Sequence, residues 1–350
     1  MRLNFRRGSA FANKKAKKYL KNKKPEDIKS VAVIRHAAIG DFVVMRPFLI
    51  ELKVFFPNAK ITLSVDRNAM YGMPKDLVDE VHIIDKVFVD NKSKKTGMFS
   101  RLKQIRELPK QDILFDLTDS SLTLLMAIFA KVDIKVGYSY RAFRRLFYDL
   151  SVLRSDFVLE SQSMLHQLNI LGANTKHYPL EYGLTKESRD IKNPYIIYFA
   201  GASIQARCWG EENFVMLIEK MRNKYSDYQH IVLKGIKEDE QFDDIYAPFA
   251  DYENVVHQNT LPLEGIYDYL AKSSLVIVGD TGIRNMAIAS NTPTLGLMWA
   301  MGISPLRYLP KVKEHQVVFN SDYLKPSVDE VLNSTIQLMD GLYESNDEKN

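Results

Sequence analysis

The chain has 350 residues, of which 46% are hydrophobic, and a formal net charge of +5 at pH 7. This length favours two domains over one core, and no uninterrupted apolar run reaches the roughly 18–20 residues that cross a bilayer. The single cysteine, Cys208, excludes an intrachain disulfide framework and suits a reducing cytoplasm. No cluster of His and Cys residues suggests zinc or an iron–sulfur cluster, so we expect no metal site.

The positive charge is concentrated at the N-terminus. Residues 1–24 contain ten Lys or Arg residues and no acid. We interpret residues 1–29 as a basic leader that either is solvated and partly disordered or attaches to an anionic membrane, where each basic residue contributes about 1 kcal/mol. A second basic cluster consists of Arg141, Arg144 and Arg145. Such clusters attract the phosphates of nucleic acid, of anionic lipid or of a charged substrate.

The first half of the chain alternates strand-like and helix-like segments. The β-branched run 31–34 predicts a strand, which a short loop ending at Gly40-Asp41 joins to an apolar helix over 42–56. Asp41 is a candidate functional carboxylate, because loops at the carboxyl ends of strands carry the chemistry of α/β domains and a helix start favours negative charge. Further strands are predicted over 60–65, 81–89 and 112–117, and further helices over 120–130 and 161–171.

After a predicted linker over 173–194, the same alternation starts again. The predicted strands are 195–200, 230–234, 275–279 and 294–298, and the predicted helices are 211–225, 238–250, 263–271 and 282–289. Alternating strands and helices imply parallel sheets with right-handed crossovers. We therefore predict two doubly wound α/β domains, 30–172 and 195–325, facing a cleft, with a C-terminal helix and tail over 326–350.

Two loops of the second domain have features of phosphate sites. In Asp280-Thr281-Gly282 a strand ends and a helix begins, and a helix N-terminus presents free N–H groups to a phosphate. An ordinary capped turn fits this motif equally well. In the other loop, Gly201-Ala202-Ser203 is followed by Arg207, which can hold two phosphate oxygens at once. Taken alone, Arg207 is also consistent with a surface arginine.

Taken together, in order and spacing, these motifs resemble glycosyltransferase family 9, the heptosyltransferases of lipopolysaccharide core assembly. The resemblance covers about residues 30–310, and the positions that match are Arg35, Gly40, Asp41, Gly201, Ala202, Ser203, Trp209, Asp280, Thr281, Gly282, Ala287, Thr292 and Pro293. Three features depart from the family: Arg207 stands where Lys is usual, Asn285 replaces a His, and Trp299-Ala300-Met301 replaces a common Gly-Pro-Thr.

The resemblance implies a GT-B fold of two Rossmann-like domains and a metal-independent, inverting sugar transfer. It implies ADP-heptose as the donor and a lipopolysaccharide core or lipid A-linked acceptor, with no cofactor beyond the nucleotide sugar. Asp41 would be the general base. Donor-binding roles would fall to Ser203, Arg207, Glu238, Leu261, Asp280, Thr281, Gly282 and Asn285. Acceptor or phosphate binding would fall to Arg35, Gly40, Arg141, Arg144 and Arg145.

The resemblance also implies a cytoplasmic protein at the inner face of the cytoplasmic membrane of a Gram-negative bacterium. Its partners would be a phosphorylated glycolipid and, through the basic N-terminus, the anionic membrane surface. Two alternatives remain open: a GT-B transferase with another nucleotide-hexose donor, and a non-catalytic sugar-nucleotide-binding homologue, which Asn285 suggests. A nucleic-acid-binding protein fits poorly, because the basic residues cluster outside the βα core and no recognition motif is present.

Overall fold

Two sheets form the framework of the computed structural model, which describes residues 1, 3, 10–85, 97–139, 142–176, 179–202, 204–299 and 304–347. The chain divides into two compact units, Met1–Tyr182 and Gly183–Asn350. This division falls inside the segment 173–194 that the sequence assigns to a linker.

The sheet of the first unit is parallel apart from one edge strand. Its strands are β1 (Ala10–Ala12), β2 (Ser30–Ile34), β3 (Lys60–Asp66), β4 (Glu80–Ile84), β5 (Gln111–Asp116), β6 (Val132–Tyr138) and β7 (Leu150–Val152). Its helices are α1 (Lys14–Lys21), α2 (Ile39–Phe55), α3 (Met98–Glu107), α4 (Ser121–Phe129) and α5 (Glu160–Asn169). The strand order is β1-β7-β6-β5-β2-β3-β4, and β1 pairs antiparallel with β7.

The sheet of the second unit is parallel throughout. Its strands are β8 (Tyr195–Phe199), β9 (Gln229–Leu233), β10 (Val255–Gln258), β11 (Leu275–Val278), β12 (Thr294–Trp299) and β13 (His315–Asn320), in the order β10-β9-β8-β11-β12-β13. Its helices are α6 (Glu211–Lys224), α7 (Asp243–Tyr246), α8 (Leu263–Lys272), α9 (Gly282–Ala289) and α10 (Val328–Asp347). Over the described ranges, no helix is both long and apolar enough to cross a membrane.

Both units follow one doubly wound topology. Counted from β2 in the first unit and from β8 in the second, the parallel strands have the Rossmann order 3-2-1-4-5-6. The order reverses between β2 and β5 and between β8 and β11, which are neighbouring strands in their sheets. Open α/β sheets bind ligands beyond the carboxyl ends of the strands at such a reversal. The structure thus confirms the predicted fold class and indicates where in each unit a ligand belongs.

The central strands are apolar over almost their whole length. Val31 to Ile34 of β2 and Leu275 to Val278 of β11 are all completely buried. Parallel sheets are covered by helices on both faces, so every side chain of such a strand needs an apolar neighbour. These two runs therefore fold as the innermost strands, and the loops that follow them start from rigid supports.

The prediction of a separate N-terminal leader over residues 1–29 is wrong from residue 10 onward, because this part of the chain packs on the first unit. Strand β1 pairs with β7, and α1 buries Ala16 and Leu20 against the first unit. The side chain of Asn13 caps α1 by accepting a hydrogen bond from the backbone N–H of Ala16 at 2.8 Å. The lysines of α1 are exposed on the faces away from Ala16 and Leu20. Residues 2 and 4–9 of the leader lie outside the described residues.

The continuous helix predicted over 238–250 is also wrong. The structure has a 3-10 helix over Glu238–Glu240, the single turn α7, and a second 3-10 helix over Ala247–Phe249. Phe242 has a φ of 56°, a left-handed conformation that an α-helix cannot pass through. Pro248 lacks the N–H that a helix interior needs. The strand predicted over 81–89 corresponds to β4, which ends at Ile84. Residues 86–89 lie outside the described residues.

Candidate functional site

At the strand-order reversal of the first unit, a buried arginine holds a carboxylate that reaches solvent. Arg35 directly follows β2 and is 3% exposed, whereas Asp41, in the first turn of α2, is 30% exposed. Arg35 Nη2 donates to Asp41 Oδ1 at 2.7 Å, and Nη1 donates to the carbonyl of Leu117, just beyond β5, at 2.5 Å. Arg35 thereby joins the two strand ends and orients the carboxylate.

Two further charged residues lie behind this pair, and the sequence analysis did not identify them. Glu160, the first residue of α5, is fully buried, and its Oε1 lies 3.4 Å from Arg35 Nη1 and 2.5 Å from Arg154 Nη2. The carboxylate of Glu160 therefore balances two guanidinium groups. The sequence carries a weak signal for this role, an acid at a helix start shortly after an arginine, and only the fold brings it to Arg35.

The geometry allows Asp41 to act as a base. The helix N-terminus and the Arg35 guanidinium both place positive charge beside the Asp41 carboxylate. Arg35 Nη2 contacts one oxygen of this carboxylate, Oδ1, and almost a third of the Asp41 side chain is exposed. The carboxylate can therefore still accept a proton from a bound hydroxyl. The structure thus brings two of the predicted site residues together, and Arg35, predicted to bind the acceptor or a phosphate, is buried and contacts Asp41 and the carbonyl of Leu117.

The other residues predicted to bind the acceptor do not take part in the ion pair of Arg35 and Asp41. Gly40 is buried in the first turn of α2, next to Asp41. Arg144 lies in the 3-10 helix Ala142–Leu146, where it is nearly buried and pairs with Asp119 at 2.5 Å. Its charge is therefore neutralised within the unit. Arg145 is exposed, and Arg141 lies outside the described residues.

At the strand-order reversal of the second unit, the loops after β8 and β11 meet through an ion pair. Arg207 Nη1 lies 2.9 Å from Asp280 Oδ2, and the two side chains are 23% and 20% exposed. Arg207 ends the 3-10 helix Gln205–Arg207, and Asp280 comes two residues after β11. The structure thus unites two predicted residues that are 73 positions apart.

Helix α9 begins directly behind this ion pair. Thr281 is its N-cap, but the Thr281 side chain accepts no capping hydrogen bond, and among the described residues its buried hydroxyl has no hydrogen-bond partner. Gly282 opens the helix, and Asn285 is half-buried on its first turn. The free N–H groups of this turn and the Thr281 hydroxyl can together receive an anion.

The remaining predicted donor residues have weaker support. Glu238 is exposed on the segment after β9. Leu261 is half-buried in the loop between β10 and α8, at the same edge of the sheet. Ser203 lies outside the described residues. Among the described residues, neither Glu238 nor Leu261 has a contact that indicates a ligand.

A different acid, Glu240, lies beside the loop that follows β8. Its Oε1 accepts a hydrogen bond from Lys237 Nζ at 2.7 Å, and Lys237 also donates to the carbonyl of Ala202 at 3.3 Å. A Cβ on Gly201 would lie 3.0 Å from the same Oε1. Of the three consecutive acids Glu238, Asp239 and Glu240, the structure places Glu240 against the loop, and the sequence alone does not distinguish among them.

Trp209 has a structural role. It is 2% exposed, its Nε1 donates to the carbonyl of Pro326 at 2.7 Å, and its ring packs edge-on against Phe214. The indole therefore ties the segment carrying Arg207 to the start of the C-terminal helical segment. This contact explains why a tryptophan closely follows the loop after β8 that contains Arg207.

Comparison with known proteins shows the family of the chain. The family model for glycosyltransferase family 9 (heptosyltransferase) matches residues 101–331. No curated protein sequence matches the chain.

Three solved structures illustrate its similarity in fold. E. coli heptosyltransferase WaaC with ADP-2-deoxy-2-fluoro heptose has 16% identity and a TM-score of 0.68, over 89% of this chain and 99% of that chain. The glycosyl transferase family 9 protein of Veillonella parvula has 18% identity and a TM-score of 0.67, over 91% and 99%. E. coli ADP-heptose lps heptosyltransferase II has 17% identity and a TM-score of 0.62, over 90% and 99%. At these identities the likeness concerns the fold.

Proposed function

The chain belongs to glycosyltransferase family 9, and on that premise we propose that it transfers a heptosyl group from ADP-heptose to a lipopolysaccharide core or lipid A-linked acceptor. One observation carries the proposal: an exposed carboxylate held by a buried arginine lies at the strand-order reversal of the first unit. A second strand-order reversal, with an arginine and a helix N-terminus, supplies the chemistry that a diphosphate requires. The WaaC structure that contains an ADP-heptose analogue supports the choice of donor.

In this proposal the donor diphosphate lies against α9. The N–H groups of its first turn and the Arg207 guanidinium stabilise the negative charge that develops on the leaving diphosphate. These groups supply the positive charge for which other transferases use a metal ion, so we propose a metal-independent reaction. Arg207 is paired with Asp280, and the diphosphate therefore shares or takes over this guanidinium when it binds.

Asp41 acts on the acceptor. Its carboxylate takes the proton of the acceptor hydroxyl while the hydroxyl oxygen forms a bond to the anomeric carbon of the donor. The bond between that carbon and the diphosphate oxygen breaks, and its electron pair leaves with the diphosphate. Attack opposite to the leaving group inverts the anomeric configuration. Arg35 holds the Asp41 carboxylate in place through its hydrogen bond to Oδ1.

A thermal-shift screen tests the donor assignment. We expect ADP and ADP-heptose to raise the melting temperature, because a ligand at 100 times its Kd stabilises the native state by about 2.7 kcal/mol. A larger shift with UDP, GDP or their sugars would replace ADP-heptose by another donor. Stabilisation by ADP-heptose without any product from a lipopolysaccharide acceptor would favour the non-catalytic alternative.

We further propose that α1 contacts the anionic inner face of the membrane. Lys14, Lys17, Lys18 and Lys21 are exposed on this helix. Leu146, which is 81% exposed, lines the same surface cavity as Lys15. Lysines beside an exposed apolar side chain suit a bilayer with anionic headgroups.

Charge removal on α1 tests this membrane contact. Replacement of Lys14, Lys17, Lys18 and Lys21 by Gln removes up to about 4 kcal/mol of attraction, at about 1 kcal/mol each. We expect binding to vesicles containing phosphatidylglycerol to fall by more than tenfold, measured by co-sedimentation. Four exposed lysines of the second unit are the matched control, and their replacement should leave binding unchanged: Lys186, Lys192, Lys311 and Lys313. Equal loss in both variants would contradict a specific contact through α1.

A further inference from the structure

The first turn of α9 contains a buried cation with incomplete hydrogen bonding. Arg284 is 1% exposed, and its Nη1 donates a weak hydrogen bond to the sulfur of Met298 at 3.6 Å. Among the described residues, its Nε and Nη2 have no hydrogen-bond partner. An unpaired buried charge is strongly unfavourable for folding. Such groups are rare in native proteins, and each requires an explanation.

The surrounding sheet leaves space for this guanidinium. A Cβ on Gly296 of β12 would lie 2.8 Å from Arg284 Nε and 3.1 Å from a methyl group of Val317. Burial lowers the pKa of Arg284 to about 10, so the side chain remains protonated at neutral pH. Burial and the nearby Arg284 charge together lower the pKa of His315 to about 4. The second unit therefore keeps a full positive charge in its interior.

This charge lies close to the N-terminus of α9. Side chains of a helix lean toward its N-terminus, and Arg284 is only the third residue of α9. Met298, which its guanidinium contacts, lies at the carboxyl end of β12, the end of the sheet at which Asp280 also lies. The positive charge therefore lies beneath α9, between Gly296 and Met298 of β12, and the Asp280 carboxylate acts on it electrostatically.

Two ion pairs lie at this edge. Arg207 is balanced by Asp280, and Lys237 is balanced by Glu240. Arg284 has no ion pair with any residue that the structure describes, and its full positive charge adds to the partial charge of about +0.5 at the helix N-terminus. The next residue, Asn285, is uncharged, so Arg284 supplies the cation on this turn.

We propose that Arg284 is a positioning residue for the donor, whose diphosphate is the counter-charge of its buried guanidinium. It acts from beneath the helix, through its electric field, and draws the diphosphate onto the N–H groups of the first turn. The inference rests on the proposed function only in taking a nucleoside diphosphate as the ligand. The identity of the base and of the sugar does not affect it.

The substitution R284M separates this role from a structural one. Methionine fills much of the same space without a charge, so the free energy of unfolding should stay the same or rise. The affinity for a nucleoside diphosphate should fall by about 10- to 100-fold, while any affinity for the nucleoside alone should not change. R284K keeps the charge and should recover most of the affinity. Calorimetry with ADP, UDP, GDP and pyrophosphate, together with urea unfolding, measures both quantities.

Arg222 of α6 provides a matched control, because it is a paired arginine in the same unit, bound to Glu219 at 2.8 Å. R222M should leave diphosphate binding unchanged. The inference is overturned if R284M lowers stability and leaves diphosphate affinity intact, or if the wild-type chain binds none of the four anions. Should R284M fail to fold, equal affinities of R284K and R284Q would overturn it, and loss in R284Q alone would support it. Diphosphate binding that depends on Arg284 but yields no sugar transfer would refute the proposed function and leave this inference standing.

Discussion

The substitution Asp41→Asn removes the proposed base with almost no change in volume. A positioned general base contributes about 10²–10⁴-fold to a rate. We therefore expect kcat to fall by that factor, which corresponds to about 3–5 kcal/mol of activation free energy. Donor affinity should change less than twofold, because the proposed donor residues belong to the other unit.

The structure sets the cost of this substitution in stability. An exposed ion pair contributes about 0.2–1 kcal/mol, and breaking a buried pair costs about 3–5 kcal/mol. Asp41 is 30% exposed, and Arg35 keeps its contacts with Leu117 and Glu160 when Asp41 is replaced. We therefore expect a loss of about 1–2 kcal/mol, which lowers the melting temperature of a unit of this size by about 2–8 °C.

Release of the nucleoside diphosphate during transfer measures kcat, and differential scanning calorimetry measures the change in stability. Glu80→Gln is the matched control, because it breaks an exposed ion pair with Lys60 at 2.6 Å in the same sheet. Glu80 is the first residue of β4, so this pair lies away from the carboxyl ends of the strands. The control should keep full activity. If D41N retained more than a tenth of the wild-type kcat, Asp41 could not be the base.

Three further predictions concern buried or paired charges. Glu160→Gln should lower the free energy of unfolding by about 3–5 kcal/mol in urea, because Arg35 and Arg154 lose their shared anion; a loss below 1 kcal/mol would contradict the buried network. Arg207→Met should weaken nucleoside diphosphate binding by about 10- to 100-fold in calorimetry, since it removes a charge-assisted hydrogen bond; unchanged affinity would remove Arg207 from the site. Burial lowers the pKa of both His230 and His315 to about 4. Below pH 6.5, the ordinary pKa of histidine, the unfolded chain therefore binds more protons than the folded chain. Stability should therefore fall between pH 6.5 and 4, by roughly 2 kcal/mol per histidine at pH 5, and equal unfolding free energies at pH 7 and pH 5 would refute this.

The sequence predicts the innermost elements well and the peripheral ones poorly. Strands β2, β8 and β11 are apolar on both faces, so composition alone identifies them. Strand β6, two places from the innermost β2, and the edge strand β13 contain charged or polar residues at partly exposed positions and give no such signal. Their places are decided by pairing with neighbouring strands, which is information that a local pattern does not contain.

The same limit applies to the candidate site. Asp41 and Asp280 could be predicted because each follows an innermost strand at a helix start. Glu160 and Glu240 could not, since their roles arise from contacts with residues of other elements. Arg284 stands beside a recognisable motif, but its burial becomes evident only when Gly296 is seen to leave space for it.

Strand β1 has a practical consequence for protein engineering. It occupies the outer edge of β7, whose backbone N–H and C=O groups would otherwise be open to another chain. A truncation that begins near residue 25, which the basic composition of the N-terminus invites, would uncover a short β-edge. We expect the fraction of such a protein that self-associates to increase with its concentration. Loss of activity after truncation would then reflect aggregation as much as loss of charge, and affinity tags are better placed after α10.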